Sequence, residues 1–410
     1  MLYFNSNKQQ DLLVEEKLTI LMCRISLDDE ESKQLHILLS QPLNWSLLLE
    51  ISQRAIILPL FFKHLSQEQF LKYVPKGVLT NLNTIYRNIA LQNLRIQSQI
   101  KEILKSMQES NIPIILLKGA YLSNCLYDDI AIRPMGDIDI LCQKSDMEKA
   151  SEKIKEIGYK QFKFPQSSLH FTNSNHLIPF EKTNKLSIEI HDYIFSAKDK
   201  NFEVMNNIWE SAVPKKIYGF PILSLSVEDE ILHLSCHLYK HLSTYEKKFY
   251  WFCDIHEIIK QNKNQIDWDK LYYRVQNLYI DKQIGTIFYF MKDVWHSPIP
   301  ENFLSKKDEK KEKNLAKEIF SNNINYFKYY LKIFNDVWSF KGLKTPIIYL
   351  LRCFFPDRSH LINRYEVKNN AINWILLLLI HPFIVIFRAF GRVITTIYYE
   401  QKNRFLSVFL

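Results

Sequence analysis

Residues 112–141 read IPIILLKGAYLSNCLYDDIAIRPMGDIDIL, and this stretch decides the predicted fold. It ends with Asp137 and Asp139, which are one residue apart in an otherwise apolar run. Because residues i and i+2 of a β-strand point to the same face, the two carboxylates are predicted to project together while Ile138 and Ile140 face the core. Neighbouring carboxylates repel each other unless a cation neutralises them. The pattern therefore predicts a divalent-metal clamp; the alternative is a pair of exposed aspartates on an edge strand.

A second apolar run precedes this aspartate pair. Residues 112–117 read as a β-strand that stops at Lys118 and Gly119. A glycine at this point lets the backbone approach a phosphate group closely, and Lys118 adds a positive charge beside it. The sequence thus predicts a phosphate-binding turn at Lys118 and Gly119, followed by the metal clamp.

The order of these motifs resembles the uncharacterised nucleotidyltransferase family of the DNA polymerase β-like superfamily. The resemblance rests on LLKG at 116–119, Tyr127, Arg133, Met135, GDIDIL at 136–141 and IEIH at 188–191. Similar landmarks lie at 44–65, 240–259 and 354–365, so the resemblance covers most of the chain. Members of the superfamily usually carry Gly-Gly or Gly-Ser after the first strand, whereas this chain has Gly119-Ala120. That difference removes a hydroxyl from the phosphate-binding turn and leaves Lys118 and backbone amides to hold the phosphates.

The resemblance implies an α/β (α+β) nucleotidyltransferase core with a small mixed sheet, flanked by helical regions in a mostly helical chain. Only eight glycines and long stretches rich in Leu, Ile, Lys, Glu and Gln agree with a high helix content. Two serines, Ser145 and Ser226, are predicted helix N-caps because acidic residues follow them in capping patterns. Breaks in the pattern predict three domains: an N-terminal helical domain at 1–100, the nucleotidyltransferase domain at 101–225, and a C-terminal helical domain with an apolar tail at 226–410.

A two-metal site needs a third carboxylate, and the run KLSIEIHDYIF at 185–195 offers one. Its alternation places Glu189 and His191 on the same face of a strand. With the family pattern, Glu189 becomes the third metal ligand beside Asp137 and Asp139. His191 would orient the carboxylate, touch a phosphate or shuttle a proton. A half-exposed strand with a polar outer face is the alternative.

The chemistry that follows is transfer of a nucleoside monophosphate from an NTP such as ATP to an acceptor. Mg²⁺ or Mn²⁺ held by the three carboxylates would stabilise the attacking and leaving oxygens during in-line attack on the α-phosphate. Arg133 is expected to neutralise triphosphate oxygens, and an ion pair with Asp128 or Asp129 is the alternative. The sequence leaves the acceptor open among a small metabolite, a sugar phosphate, a peptide, a protein and an RNA. A catalytically inactive nucleotide-binding or partner-binding accessory protein of a biosynthetic or membrane-associated complex is the competing interpretation.

Three histidines in the C-terminal part, His233, His237 and His241, recur every four residues and are predicted to line one face of a helix. The spacing is compatible with a structural role, with substrate contact and with a zinc site. Asp254, in the next helical stretch, is a candidate partner for one of these histidines.

Composition bounds the partners and the location. The net charge of +9 and the pI near 9.0 favour an anionic ligand such as a nucleotide, a nucleic acid or a membrane surface. Six cysteines form no CxxC pair, and the chain opens without a signal-peptide pattern, so we expect a cytoplasmic protein. Residues 369–387 carry no acidic or basic side chain apart from His381. Within the tail at 369–399, this stretch predicts packing against the protein or a partner, attachment to a membrane surface, or a span. Attachment would make the protein peripheral to the membrane.

Overall fold

The computed structural model describes residues 12–162, 176–195, 202–242, 249–304 and 375–383. Its N-terminal part is helical. The longest of these helices has 34 residues and begins directly after Pro75, whose fixed φ suits the start of a helix. The elements are α1 (Val14–Met22), α2 (Asp29–Leu39), α3 (Trp45–Arg54), α4 (Leu58–Leu65), α5 (Glu68–Leu71) and α6 (Lys76–Glu109).

In the part of the chain that the structure describes, seven strands then form one mixed sheet, and three helices lie between them in sequence. In chain order the elements are β1 (Ile114–Leu117), α7 (Lys118–Cys125), β2 (Asp137–Cys142), α8 (Met147–Glu156), β3 (Lys160–Gln161), β4 (Phe180–Glu181), β5 (Ser187–His191), α9 (Phe202–Glu210), β6 (Val213–Ile217) and β7 (Phe220–Ser224). The spatial order is β3-β4-β5-β2-β1-β7-β6. β2 runs antiparallel to β1 and parallel to β5, and β1 runs parallel to β7. The predicted α/β core with a mixed sheet is confirmed.

Helices return after the sheet: α10 (Val227–Leu242), α11 (Tyr250–Gln261), α12 (Trp268–Asn277) and α13 (Asp281–Trp295). The predicted cap at Ser226 is confirmed, because its Oγ accepts a hydrogen bond of 3.3 Å from the amide of Asp229. The predicted cap at Ser145 is wrong. Residues Lys144–Asp146 form a 3-10 turn, and α8 begins only after it. Ser145 therefore lies inside a helical turn and cannot adopt the extended backbone that an N-cap needs.

Hydrophobic clusters cover both faces of the sheet. Ile138 and Ile140 of β2 pack with α6 and α8 on one face and are completely buried, as the alternation predicted. Leu141, on the opposite face, belongs to a larger cluster. That cluster contains residues from all three predicted domains, such as Leu18 and Ile255. The described residues up to 304, apart from Phe162, belong to one compact unit. The three-part division at 100 and 225 stays a prediction.

The first turn of α10 carries three acidic residues in succession, of which Glu228 and Glu230 differ most. Glu228 accepts hydrogen bonds from the Nζ of Lys270 at 3.0 Å and from the amide of Asp267 at 3.1 Å. Glu230 is 3% exposed, and within the described ranges neither of its carboxylate oxygens has a hydrogen-bond partner. Burial, reinforced by the nearby charge of Asp254, raises the pKa of Glu230 to about 8. One turn of α10 thus carries both a buried carboxyl that keeps its proton at neutral pH and a carboxylate whose two oxygens accept hydrogen bonds.

Most of the C-terminal stretch at 369–399, and all of the landmark at 354–365, lies outside the described residues. Residues 375–383 are helical and belong to a second unit. Five large apolar side chains of this helix are between 48% and 72% exposed: Ile375, Leu376, Leu379, Ile380 and Phe383. Within the described ranges, no helix has the length and apolar character needed to cross a membrane.

Candidate metal centre

Asp139 and Glu189 lie directly opposite each other on two neighbouring strands. β2 and β5 pair in a register that sets Asp139 against Glu189 and Leu141 against His191. Paired residues of adjacent strands point to the same face, so the two carboxylates lie side by side. Asp139 is 1% exposed, whereas the side chain of Glu189 is 23% exposed. The register thus brings together two carboxylates that are 50 residues apart in sequence.

Two basic side chains complete this cluster. His191 Nε2 lies 2.8 Å from Asp139 Oδ1 and 3.5 Å from Glu189 Oε2. Lys118 Nζ donates to the same Asp139 Oδ1 at 2.9 Å. One ligand atom from each of Asp139, Glu189 and His191 lies within 4.8 Å of the others, a spacing that could hold a metal ion. No other group of this kind occurs in the part of the chain that the structure describes.

The charges of the cluster keep both carboxylates ionised. Burial opposes the ionisation of Asp139, but Lys118 and His191 hold its pKa well below its usual range. Burial opposes the ionisation of Glu189 as well, but the hydrogen bond with His191 and the charges of His176 and His191 together lower its pKa. Burial alone would lower the pKa of Lys118 and of His191, but the carboxylates raise both. The site therefore presents two anionic ligands at neutral pH.

Asp137 begins β2 and shares the face of Asp139. It is half-buried and does not belong to the group of three ligand atoms, although its charge contributes to the raised pKa of Lys118. The structure thus brings together Asp139, Glu189, His191 and Lys118, and places Asp137 at the margin of this cluster. Sequence reasoning missed the contact of Lys118 with Asp139, because strand alternation does not report on the turn after β1.

The turn after β1 is the first turn of α7, and its first residue has an unusual backbone. Lys118 has φ 48°, in the left-handed region that side chains other than glycine rarely adopt. Such strain is found disproportionately at functional sites. Gly119 serves a different purpose: a Cβ there would lie 3.1 Å from Met135 Cγ and 3.4 Å from Arg133 Nη1. The glycine therefore makes room for the segment before β2, and its predicted contact with a phosphate stays a prediction.

Arg133 has a carboxylate partner inside the protein. Its Nε and Nη2 donate to Asp254 Oδ1 and Oδ2 at 3.0 Å and 2.8 Å, and the hydroxyl of Tyr127 also donates to Asp254. The guanidinium lies 4.2 Å from the ring centroid of Tyr250. Burial would lower the pKa of Arg133, but the carboxylate of Asp254 raises it above its ordinary value. Arg133 and Asp254 thus form a buried bidentate ion pair.

This ion pair corrects two predictions. The partner of Arg133 is neither Asp128 nor Asp129, since Asp129 accepts instead from the hydroxyl of Tyr86. Asp254 pairs with Arg133 and Tyr127, and among the described residues it has no histidine partner. The guanidinium still lies beside Gly119, so direct contact of Arg133 with triphosphate oxygens stays a prediction.

The three histidines of α10 have different surroundings. His233 Nδ1 lies 2.9 Å from the carbonyl oxygen of Ile194, which can only accept, so this nitrogen carries the proton. Burial and the charge of Lys118 lower the pKa of His233 to about 3. The rings of His237 and His241 lie 4.6 Å apart and both contact Trp251. Within the described ranges these histidines belong to no metal-binding group. Whether their role is structural, substrate contact or zinc binding stays a prediction.

Comparison with known proteins gives one match. A family model described as an uncharacterised nucleotidyltransferase matches residues 41–296, more than half of the chain. The matched range runs from just before α3 to the end of α13 and includes every residue of the candidate metal centre. No curated protein and no solved structure matches the chain.

Proposed function

Because the chain belongs to the uncharacterised nucleotidyltransferase family, we propose that it transfers a nucleoside monophosphate from an NTP to an acceptor in a metal-dependent reaction. Membership of this family makes the chain a transferase. The NTP donor, the dependence on a metal and the acceptor are what we propose. One observation carries it: Asp139 and Glu189 lie in register on neighbouring strands, and both carboxylates have a lowered pKa.

Asp139 and Glu189, with Asp137 beside them, are the residues proposed to hold Mg²⁺ or Mn²⁺. The donor set fits such an ion, because hard divalent cations prefer ionised carboxylate oxygens. Asp137 and Asp139 lie on one face of β2, where their carboxylates concentrate negative charge that a cation would offset. When bound, the cation would stabilise the attacking and leaving oxygens of an in-line displacement at phosphorus.

The other residues of the site are proposed to bind and orient the nucleotide. Lys118 supplies a positive charge beside the strained turn after β1, where the phosphates of the NTP would lie. His191 contacts Asp139 through its Nε2. Arg133 packs beside Gly119 while Asp254 holds its guanidinium, which fixes the segment that leads into Asp137.

The acceptor would offer a hydroxyl or phosphate group of a small metabolite, a peptide, a protein or an RNA. The exposed apolar residues of the helix at 375–383 would contact a partner protein or a membrane surface. Sedimentation with lipid vesicles separates these two contacts, since only the second predicts that the protein pellets with vesicles alone. With a membrane contact the protein would be peripheral on the cytoplasmic side.

Transfer of label from each of the four NTPs tests the proposed function. The full chain is incubated with Mg²⁺ or Mn²⁺, a cell extract as acceptor mixture, and NTP labelled with ³²P at either the α or the γ position. Label from the α position alone is expected, since pyrophosphate leaves. Transfer from the γ position would contradict the proposal, because it would identify a phosphoryl transferase.

Variants identify the residues responsible. The double variant Asp137→Ala, Asp139→Ala and the single variant Glu189→Gln should each abolish transfer. Glu181→Gln is the matched control, since Glu181 is an exposed carboxylate on the adjacent strand β4. Loss of transfer in the control together with the site variants would point to a general loss of folding. Nucleotide binding by calorimetry without any transfer would favour the accessory-protein interpretation.

A further inference from the structure

Carboxylates alone could hold a divalent ion, yet the cluster also contains His191. Its Nε2 faces the oxygens of both Asp139 and Glu189, at 2.8 Å and 3.5 Å. We propose that His191 is itself a metal ligand and that the centre takes Mn²⁺, or another divalent ion that accepts nitrogen, in preference to Mg²⁺. This inference rests on the proposed function, since it assigns the metal of that site.

The spacing of the three donor atoms fits a shared ion. Protein donors lie about 2.0–2.2 Å from ions of this size, so neighbouring donors around a six-coordinate ion are about 3 Å apart. His191 Nε2 is already at such a separation from one oxygen of each carboxylate. The imidazole would need only a small shift to share an ion with them.

The backbone holds His191 at this place. It is the last residue of β5, where Leu141 of β2 pairs with it on one side and His176 bridges to it on the other. The residue is only 7% exposed. A buried imidazole between two strand partners has little freedom to turn away, so an ion on the two carboxylates would meet its Nε2.

A nitrogen ligand changes which metal is preferred. Mg²⁺ favours oxygen ligands, demands near-ideal octahedral geometry and usually keeps several waters. Imidazole suits later ions, and affinity for mixed nitrogen and oxygen sites rises from Mn²⁺ through Fe²⁺ and Co²⁺. With two carboxylates and an imidazole, the centre should bind Mn²⁺ more tightly than Mg²⁺. If His191 only oriented Asp139 through a hydrogen bond, the choice of metal would depend on carboxylates alone.

His176 supplies a matched control. Its ring centroid lies 5.1 Å from that of His191, and its Nε2 lies 3.8 Å from Glu189 Oε2. It does not belong to the group of three ligand atoms. His176 therefore shares the neighbourhood of the site without the predicted role.

Electron spin echo spectroscopy of bound Mn²⁺ tests the inference without measuring activity. The full chain with Mn²⁺ should show ¹⁴N coupling from a directly bound imidazole. Labelling the histidines with ¹⁵N should replace this ¹⁴N coupling by ¹⁵N coupling. His191→Gln should remove the coupling and weaken Mn²⁺ binding by more than about tenfold, since even partners outside the ligand shell contribute about 10–100-fold. Mg²⁺ binding should weaken less. His176→Gln should keep the coupling.

Three results would overturn the inference. Bound Mn²⁺ without nitrogen coupling would make His191 a hydrogen-bond donor only, and metal-dependent transfer would be unaffected. Coupling that survives His191→Gln but disappears in His176→Gln would show that the nitrogen ligand is His176 and not His191. If the protein did not bind Mn²⁺, His191 could not be assigned as a ligand. The proposed function would then be tested separately by transfer from α-labelled NTP with Mg²⁺. The isotope measurement uses the unaltered chain, so it holds even if His191→Gln fails to fold.

Discussion

Replacing the buried Glu230 by Gln is expected to stabilise the protein at neutral pH. Burial raises the pKa of this carboxyl from 4.5 to about 8, so the native state keeps its proton at pH 7. In the unfolded chain the same carboxyl ionises near its ordinary pKa. The unfolded state therefore binds fewer protons between these two values, and the free energy of unfolding falls as the pH rises through that window.

The size of the effect follows from the pKa difference. Each pH unit between the two values changes the free energy of unfolding by about 1.4 kcal/mol. Since pH 7 lies about 2.5 units above the ordinary pKa of Glu230, ionisation of the unfolded chain costs the native state about 3 kcal/mol. Gln has nearly the same shape and no ionisable group, so Glu230→Gln should recover about 3 kcal/mol at pH 7 and almost nothing at pH 4.

Urea unfolding followed by circular dichroism at pH 4, 5, 6, 7 and 8 measures this difference. Glu228→Gln is the matched control, because Glu228 lies on the same turn of α10 and accepts hydrogen bonds from Lys270 and from the amide of Asp267. Despite partial burial, these contacts lower its pKa. Its stabilisation is present above its ordinary pKa and is lost as the pH falls, so the control should destabilise the protein at pH 7.

The two variants should thus have opposite signs at neutral pH. A difference between Glu230→Gln and the unaltered chain that stays constant from pH 4 to pH 8 would refute the reasoning, because it would mean that Glu230 does not change its pKa on folding. Destabilisation by both variants at pH 7 would refute it as well, since it would show that the Glu230 carboxylate has a stabilising partner.

Three further predictions concern the turn after β1 and its support. Gly119→Ala should lower the free energy of unfolding by about 1–3 kcal/mol through overpacking, since a Cβ would lie 3.1 Å from a side-chain carbon. Thermal unfolding measures this change, with Gly77→Ala as the control because nothing lies within 4 Å of a Cβ at that position. Asp254→Asn should cost about 3–5 kcal/mol by leaving the buried charge of Arg133 unpaired, and an unchanged urea midpoint would argue against that. Lys118→Met should raise KM for NTP about tenfold or more by removing a charged contact, and an unchanged KM would count against its phosphate role.

Features with a local pattern were predicted correctly. Strict alternation placed Ile138 and Ile140 in the core and set Glu189 and His191 on one face, because a strand has a period of two. The cap at Ser226 was also recognised from its own neighbourhood. The capping pattern gave a wrong prediction at Ser145, because this serine already lies within a 3-10 turn between β2 and α8. Local capping patterns do not reveal such a turn.

Long-range pairings were not predictable from the sequence. Asp128 and Asp129 are close to Arg133 in sequence, yet its partner is Asp254 on α11. Alternation indicated which face Glu189 occupies but not the register that sets it against Asp139. Register and ion pairing depend on how separate elements pack, and no periodicity in one segment records this.

The bridge between Arg133 and Asp254 also has a consequence for synthesis of the chain. The two residues are 121 positions apart, so at about 5–20 residues per second a ribosome needs roughly 6–24 s to make the second after the first. During that time the guanidinium lacks the carboxylate that it pairs with in the folded protein, and the segment that leads into β2 lacks this anchor to α11. We expect the nascent sheet to stay open to chaperones until α11 emerges, and the catalytic core to become resistant to protease only then.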